Sequence, residues 1–102
     1  DQMIISEISR KTQAMYGTND TDDIVEMLRD IAGIEVAVLS YQTAEDWRLS
    51  LRSKQKIDVG SIALEFGGGG HYGAAGIAVA NNDYPSVLHR VIEQIEAKLV
   101  KR

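Results

Sequence analysis

Apolar residues along this chain recur first at helical spacing, then at the two-residue period of strands, and finally at helical spacing again. Ile4, Ile5, Ile8 and Met15 fall on one stripe of a helix from about residue 3 to 15, which Gly17 closes. Asn19 or Asp20 supplies a cap for a second helix, in which Ile24, Leu28, Ile31 and Ala32 repeat up to Gly33. Ile34 to Tyr41 is rich in β-branched residues, and Trp47 to Ser53 alternates apolar and polar strictly. With the polar turn Gln42 to Asp46 between them, these two stretches predict an antiparallel hairpin. On its second strand Trp47, Leu49 and Leu51 share one face, and Arg48, Ser50 and Arg52 the other.

Asp58 caps a short helix carrying Val59, Ile62, Ala63 and Phe66, and a run of glycines ends that helix. A third strand follows at about Ala75 to Ala80. Asn82 and Asp83 then offer caps, Pro85 sits in a first turn, and Leu88, Val91, Ile95 and Leu99 form the stripe of a closing helix. The order α-α-β-β-α-β-α predicts a small α/β domain, a compact sheet with an antiparallel hairpin and helices packed on it. Residues 1–33 are its helical lead-in and residues 34–102 its core.

A length of 102 residues fits one domain. With 44% hydrophobic and 25% charged residues the composition is that of a globular protein, and the absence of Cys excludes disulfides and thiolate metal sites. No apolar run approaches a membrane span and no signal peptide opens the chain, so a soluble cytoplasmic protein is expected, with no membrane partner. A net charge of −4 argues against a broad basic surface gripping nucleic acid, but not against a local phosphate seat. Starting at Asp1 rather than Met, the sequence reads as a piece of a longer polypeptide.

Gly67-Gly68-Gly69-Gly70-His71 leads into Tyr72-Gly73-Ala74-Ala75-Gly76, which puts six of the nine glycines within ten residues. Backbone without Cβ atoms can approach a ligand closely and converge several N–H donors on an anion, and the adjacent histidine adds another donor. A linker is the competing explanation, but this run lies between apolar stretches instead of Ser- and Pro-rich ones. Gly68, Gly70 and Gly73 match the dinucleotide fingerprint by letter, yet they follow a helix and open a strand, the reverse of what that motif requires. The chain has no P-loop and no nucleophile elbow. Asp20, Asp22 and Asp23 lack the rest of a calcium loop and serve as caps, and His89 with Glu93 is a surface helix pair. No catalytic set is complete, so the chain reads as a binder rather than a self-sufficient catalyst.

Ser50-Leu51-Arg52-Ser53, Asp58-Val59, Phe66-Gly67-Gly68-Gly69-Gly70-His71 and Ala74-Ala75-Gly76, in this order, resemble the DHH-associated C-terminal domain of the DHH phosphoesterase superfamily. The resemblance is greatest to its nanoRNase and phosphoadenosine phosphate phosphatase branch, and covers about Ile34 to Val79. It implies that an N-terminal Asp-His-His catalytic domain in the same polypeptide, holding Mn2+ or Mg2+, performs the hydrolysis. This chain then carries no cofactor and no catalytic residue. It would hold a phosphate of a short oligonucleotide, phosphoadenosine phosphate or a cyclic dinucleotide, and a homodimer of the full-length protein is expected.

The seat implied by this resemblance is Arg52 with Gly68, Gly69, Gly70 and His71. Arg52 offers a planar fork suited to phosphate, and Ser50 adds a hydroxyl on the same strand face, while Ser53 points away. Tyr72, where relatives often have a polar residue, either stacks on a base or packs, and Trp47 packs in the core. A non-catalytic nucleotide-binding module is the alternative function.

Overall fold

The computed structural model describes residues 2–11 and 21–100. Five strands form one sheet: β1 (Met3–Ile8), β2 (Val36–Gln42), β3 (Asp46–Ser53), β4 (Gly69–His71) and β5 (Ala74–Ala80). Among the described residues three complete helices pack on it: α1 (Thr21–Arg29), α2 (Val59–Glu65) and α3 (Tyr84–Val100), the last preceded by a 3-10 turn at Asn81–Asp83. Strand order across the sheet is β1-β2-β3-β5-β4. β1 runs parallel to β2, which requires a crossover on which α1 lies, and every other pairing is antiparallel.

The α/β class, the hairpin and the elements from α1 onward agree with the sequence pattern, except for the short strand β4 (Gly69–His71). The first element differs: Met3–Ile8 is a strand where the spacing predicts a helix. Residues four apart share a face in a strand as well as in a helix, so Ile4 and Ile8 satisfy both periods. Pairing with β2, from Met3 opposite Val36 to Ile8 opposite Tyr41, decides between them. Met15, Gly17, Asn19 and Asp20 lie outside the described residues.

Alternation along the strands divides the core between two faces. On one, Val36, Val38, Leu49, Leu51, Ile77 and Val79 meet Ile62 of α2 and Val91 and Ile95 of α3. Fully burying each such side chain is worth about 1.5–3 kcal/mol relative to exposure. Trp47 belongs to this face and stacks on Tyr84, ring centroids 4.0 Å apart and planes 6° from parallel. On the other face α1 sets Val25, Ile24 and Leu28 against Ala37, Leu39, Ile4 and Ile8. That smaller core covers β1 and β2, whereas Gly76 and Ala78 of β5 on the same face are exposed.

Candidate functional site

The two ends of α2 explain how the glycine run reaches the sheet. Asp58 caps the helix, its side chain accepting from the Ser61 amide at 3.1 Å and the Ser61 hydroxyl at 2.7 Å. These bonds, the hydroxyl's first, hold its carboxyl below the usual range. At the other end Gly67 takes φ +85°, while the Gly68 N–H donates to Ala63 O at 2.8 Å and the Gly67 N–H to Leu64 O at 3.2 Å. This pairing is a Schellman stop, and the left-handed residue it requires is naturally glycine. The chain then turns into β4, a short edge strand that the sequence pattern does not predict, because glycines carry no side-chain periodicity. Tyr72 and Gly73 make the two-residue turn from β4 to β5.

Register places the predicted site residues. Arg52 lies opposite Ala74, and Ala74 lies opposite His71. Directly opposed residues in antiparallel strands point to the same face, so Arg52 and His71 rise from one side of the sheet with only a methyl group between them. Two strand spacings separate their Cα atoms by about 10 Å. The next row is Ser50, Gly76 and Gly69, again on this face. Together they form a trough floored by small residues, with a concavity of about 280 Å³ lined by Ser50, Arg52, Gly69, Gly70, Ala74, Ala75 and Gly76.

The glycines of the run are not equivalent. A Cβ on Gly68 would lie 2.1 Å from Gly76 O, and one on Gly70 2.5 Å from Ala74 O, so close strand packing excludes side chains there. Gly70 also has φ +147°. A Cβ on Gly69 would meet nothing within 4 Å, and its φ is not in the positive range. The fold therefore imposes no glycine at position 69, where a side chain would project into the trough.

Around Arg52 the field is mixed. Its side chain is 11% exposed, Nη1 donates to Leu51 O at 3.0 Å, and Nε lies 3.9 Å from Glu26 Oε2 on α1. An anion in the trough would compete with that carboxylate for the guanidinium. Ser53 points to the opposite face, as alternation predicts, and its hydroxyl donates to Ile57 O at 2.7 Å and Tyr72 O at 3.3 Å. It ties the end of β3 to the segment leading into α2 and to the glycine hairpin. Tyr72 is half exposed at 52% and its hydroxyl donates to Gln55 O at 2.6 Å, with its ring away from the lining of the concavity. Gly68 lines a neighbouring hollow together with Gly67, Tyr41 and Arg48. Tyr41 went unrecognised in the sequence, because a strand aromatic signals nothing without the register. Among the described residues no three His, Cys, Asp or Glu side chains come together, so this donor set does not fit a metal ion. No helix among them is long and apolar enough to cross a membrane.

A mixed five-stranded sheet with small helices on it leaves a glycine-floored trough on one uncovered half, with Arg52 and His71 in one row across it, and this defines a small α/β domain. The chain belongs to the DHHA1 domain family, whose profile matches residues 1–101. It is 34% identical over 82 residues to the bifunctional oligoribonuclease and PAP phosphatase NrnA of Thermus thermophilus, covering 80% of this chain and 25% of that protein. The chain thus spans about a quarter of that curated relative. Among solved structures, an exopolyphosphatase-related protein from Bacteroides fragilis superposes with a TM-score of 0.76 at 23% identity, over 95% of this chain and 31% of that one. The C-Ala domain of Aquifex aeolicus alanyl-tRNA synthetase superposes with a TM-score of 0.66 at 14% identity, over 89% and 87%. At these identities the two structures share the fold.

Proposed function

We propose that this domain is the substrate-holding part of a DHH-family phosphoesterase. It seats a phosphate of a short oligonucleotide, phosphoadenosine phosphate or a cyclic dinucleotide for hydrolysis by a catalytic domain elsewhere in the same polypeptide, which holds the Mn2+ or Mg2+. The Arg52 guanidinium, the Ser50 hydroxyl, the His71 ring and the backbone of the glycine run supply the donors, apart from the Gly68 N–H, which is already given to Ala63 O, and Tyr72 fixes the hairpin that carries them. The observation that carries this reading is the single row Arg52–Ala74–His71 across three strands, beside a Gly69 that the fold itself does not require. Membership in the family and the likeness to a phosphatase and oligoribonuclease support a phosphorylated nucleotide as ligand.

Chemically the seat can bind, orient and partly neutralise a phosphate, and in this reading the Ser50 hydroxyl and the His71 ring serve as hydrogen-bond donors to it. Charge-assisted hydrogen bonds contribute about 1.5–3 kcal/mol each. Titrating the chain with a dinucleotide, followed by amide NMR, tests the reading. Signals of residues 68–71 and Arg52 are expected to move, and Arg52→Ala is expected to weaken binding by about 10-fold or more. An unchanged spectrum of the folded chain at millimolar dinucleotide would overturn it.

A further inference from the structure

Next to the proposed phosphate seat lies a second hollow of about 340 Å³, lined among others by Tyr41, Arg48, Ser50, Gly67, Gly76 and Ala78. It shares Ser50 and Gly76 with the concavity at Arg52, so the two are one continuous trough. Tyr41 lies directly opposite Arg48, and Arg48 directly opposite Ala78, which puts an aromatic ring, a guanidinium and a methyl in one row on the trough side. Four residues along β3 place Arg48 and Arg52 about 13 Å apart, a span that accommodates a phosphate, a ribose and a base end to end.

The two arginines differ in their surroundings. Arg48 Nε donates to both oxygens of Asp46, at 3.2 and 3.3 Å. Asp46 is itself fixed by the Thr43 hydroxyl at 2.6 Å, and that bond first, with Arg48 after it, keeps its carboxyl ionised below the usual range. A second phosphate here would therefore face a carboxylate. A flat, uncharged group would not, and it would find Tyr41 as a wall, small residues as a floor and a held guanidinium as edge donor.

We infer that the Tyr41–Arg48 hollow is a nucleobase subsite, which takes the base of the nucleotide whose phosphate lies at Arg52. This rests on the phosphate seat proposed above and adds what that seat cannot supply, a preference for nucleotides over phosphate esters that lack a base. Stacking on one aromatic side chain strengthens binding by about 5- to 100-fold.

The test compares adenosine 5′-monophosphate with ribose 5-phosphate on the same chain, by amide NMR and calorimetry. The nucleotide is expected to bind about 5- to 100-fold more tightly, moving amides near Tyr41 and Arg48 as well as those of residues 68–71, whereas ribose 5-phosphate moves only the latter. Tyr41→Ala is expected to collapse the affinity ratio towards one, and Tyr41→Phe, which keeps the ring and the packing, to preserve it. Equal affinity of the wild-type chain for the two ligands overturns the base subsite and leaves the phosphate seat standing. Tyr41→Phe collapsing the ratio overturns stacking as its basis, and failure of both ligands to bind overturns the subsite together with the seat beneath it.

Discussion

Replacing Gly69 and Gly68 in turn by alanine separates what the glycine run does for the fold from what it does for a ligand. At Gly68 an ideal Cβ falls 2.1 Å from Gly76 O and 3.0 Å from Ile77 Cα, all backbone, so a methyl forces β4 and β5 apart. Overpacking of this kind costs about 1–3 kcal/mol. In a domain of this size each kcal/mol lowers the melting temperature by roughly 4–8 °C, so Gly68→Ala should melt on the order of 10 °C lower. At Gly69 the same methyl meets nothing, and removing a glycine's freedom from the unfolded chain stabilises by up to about 1 kcal/mol. Gly69→Ala should thus melt at or slightly above the wild-type temperature, while its methyl occupies the space where a phosphate would approach and cuts nucleotide affinity by about 10-fold or more, equivalent to some 1.4 kcal/mol. Calorimetric melting and nucleotide titration of both variants give the answer. If Gly69→Ala melts normally and still binds nucleotide like wild type, backbone approach at this position is not how the ligand is held.

Other outcomes follow from named contacts. Glu26→Gln removes the carboxylate 3.9 Å from Arg52 Nε, and nucleotide affinity should rise a few-fold at low salt, with the gain shrinking as ionic strength increases. Asp58→Ala deletes the α2 cap and should lower the denaturant midpoint, with Asp58→Asn retaining most of the wild-type value. Because the Asp58 carboxyl is held below its ordinary 3.8, its contribution is complete above that pH and is lost as pH falls through the lower folded value; acid unfolding of Asp58→Asn should lack this component. Tyr84 is pushed up to about 12, chiefly by burial and then by its 2.6 Å hydrogen bond to Glu7. Its neutral form is the one the fold stabilises, so that contribution is intact below pH 10 and is lost between about 10 and 12, which absorbance titration of the tyrosinate alongside circular dichroism will register.

The candidate site was legible where chemistry is written in residue type. A guanidinium and a hydroxyl two residues apart on an alternating strand must share a face, and a run of four glycines lets the backbone come close to a neighbour, although the Gly67 and Gly68 N–H groups are spent on closing α2. Which partner each would meet was not legible. Tyr41 and Arg48 reach one hollow because β2 and β3 pair in a register that no local pattern specifies. Glu26, near Arg52 in space and 26 positions away in sequence, shapes the seat electrostatically without any sequence sign of doing so.

The sequence by itself determined the helices from α1 onward, the hairpin, the cap at Asp58, the stop at Gly67 and the α/β class, because propensity, capping and side-chain period act over a few residues. Tertiary structure alone decided that Met3–Ile8 is a strand, that Gly69, Gly70 and His71 add an edge to the sheet, and that Arg52 and His71 stand across one methyl from each other. Those outcomes depend on hydrogen bonds and registers between segments distant in the chain, whose energies enter only when the sheet closes.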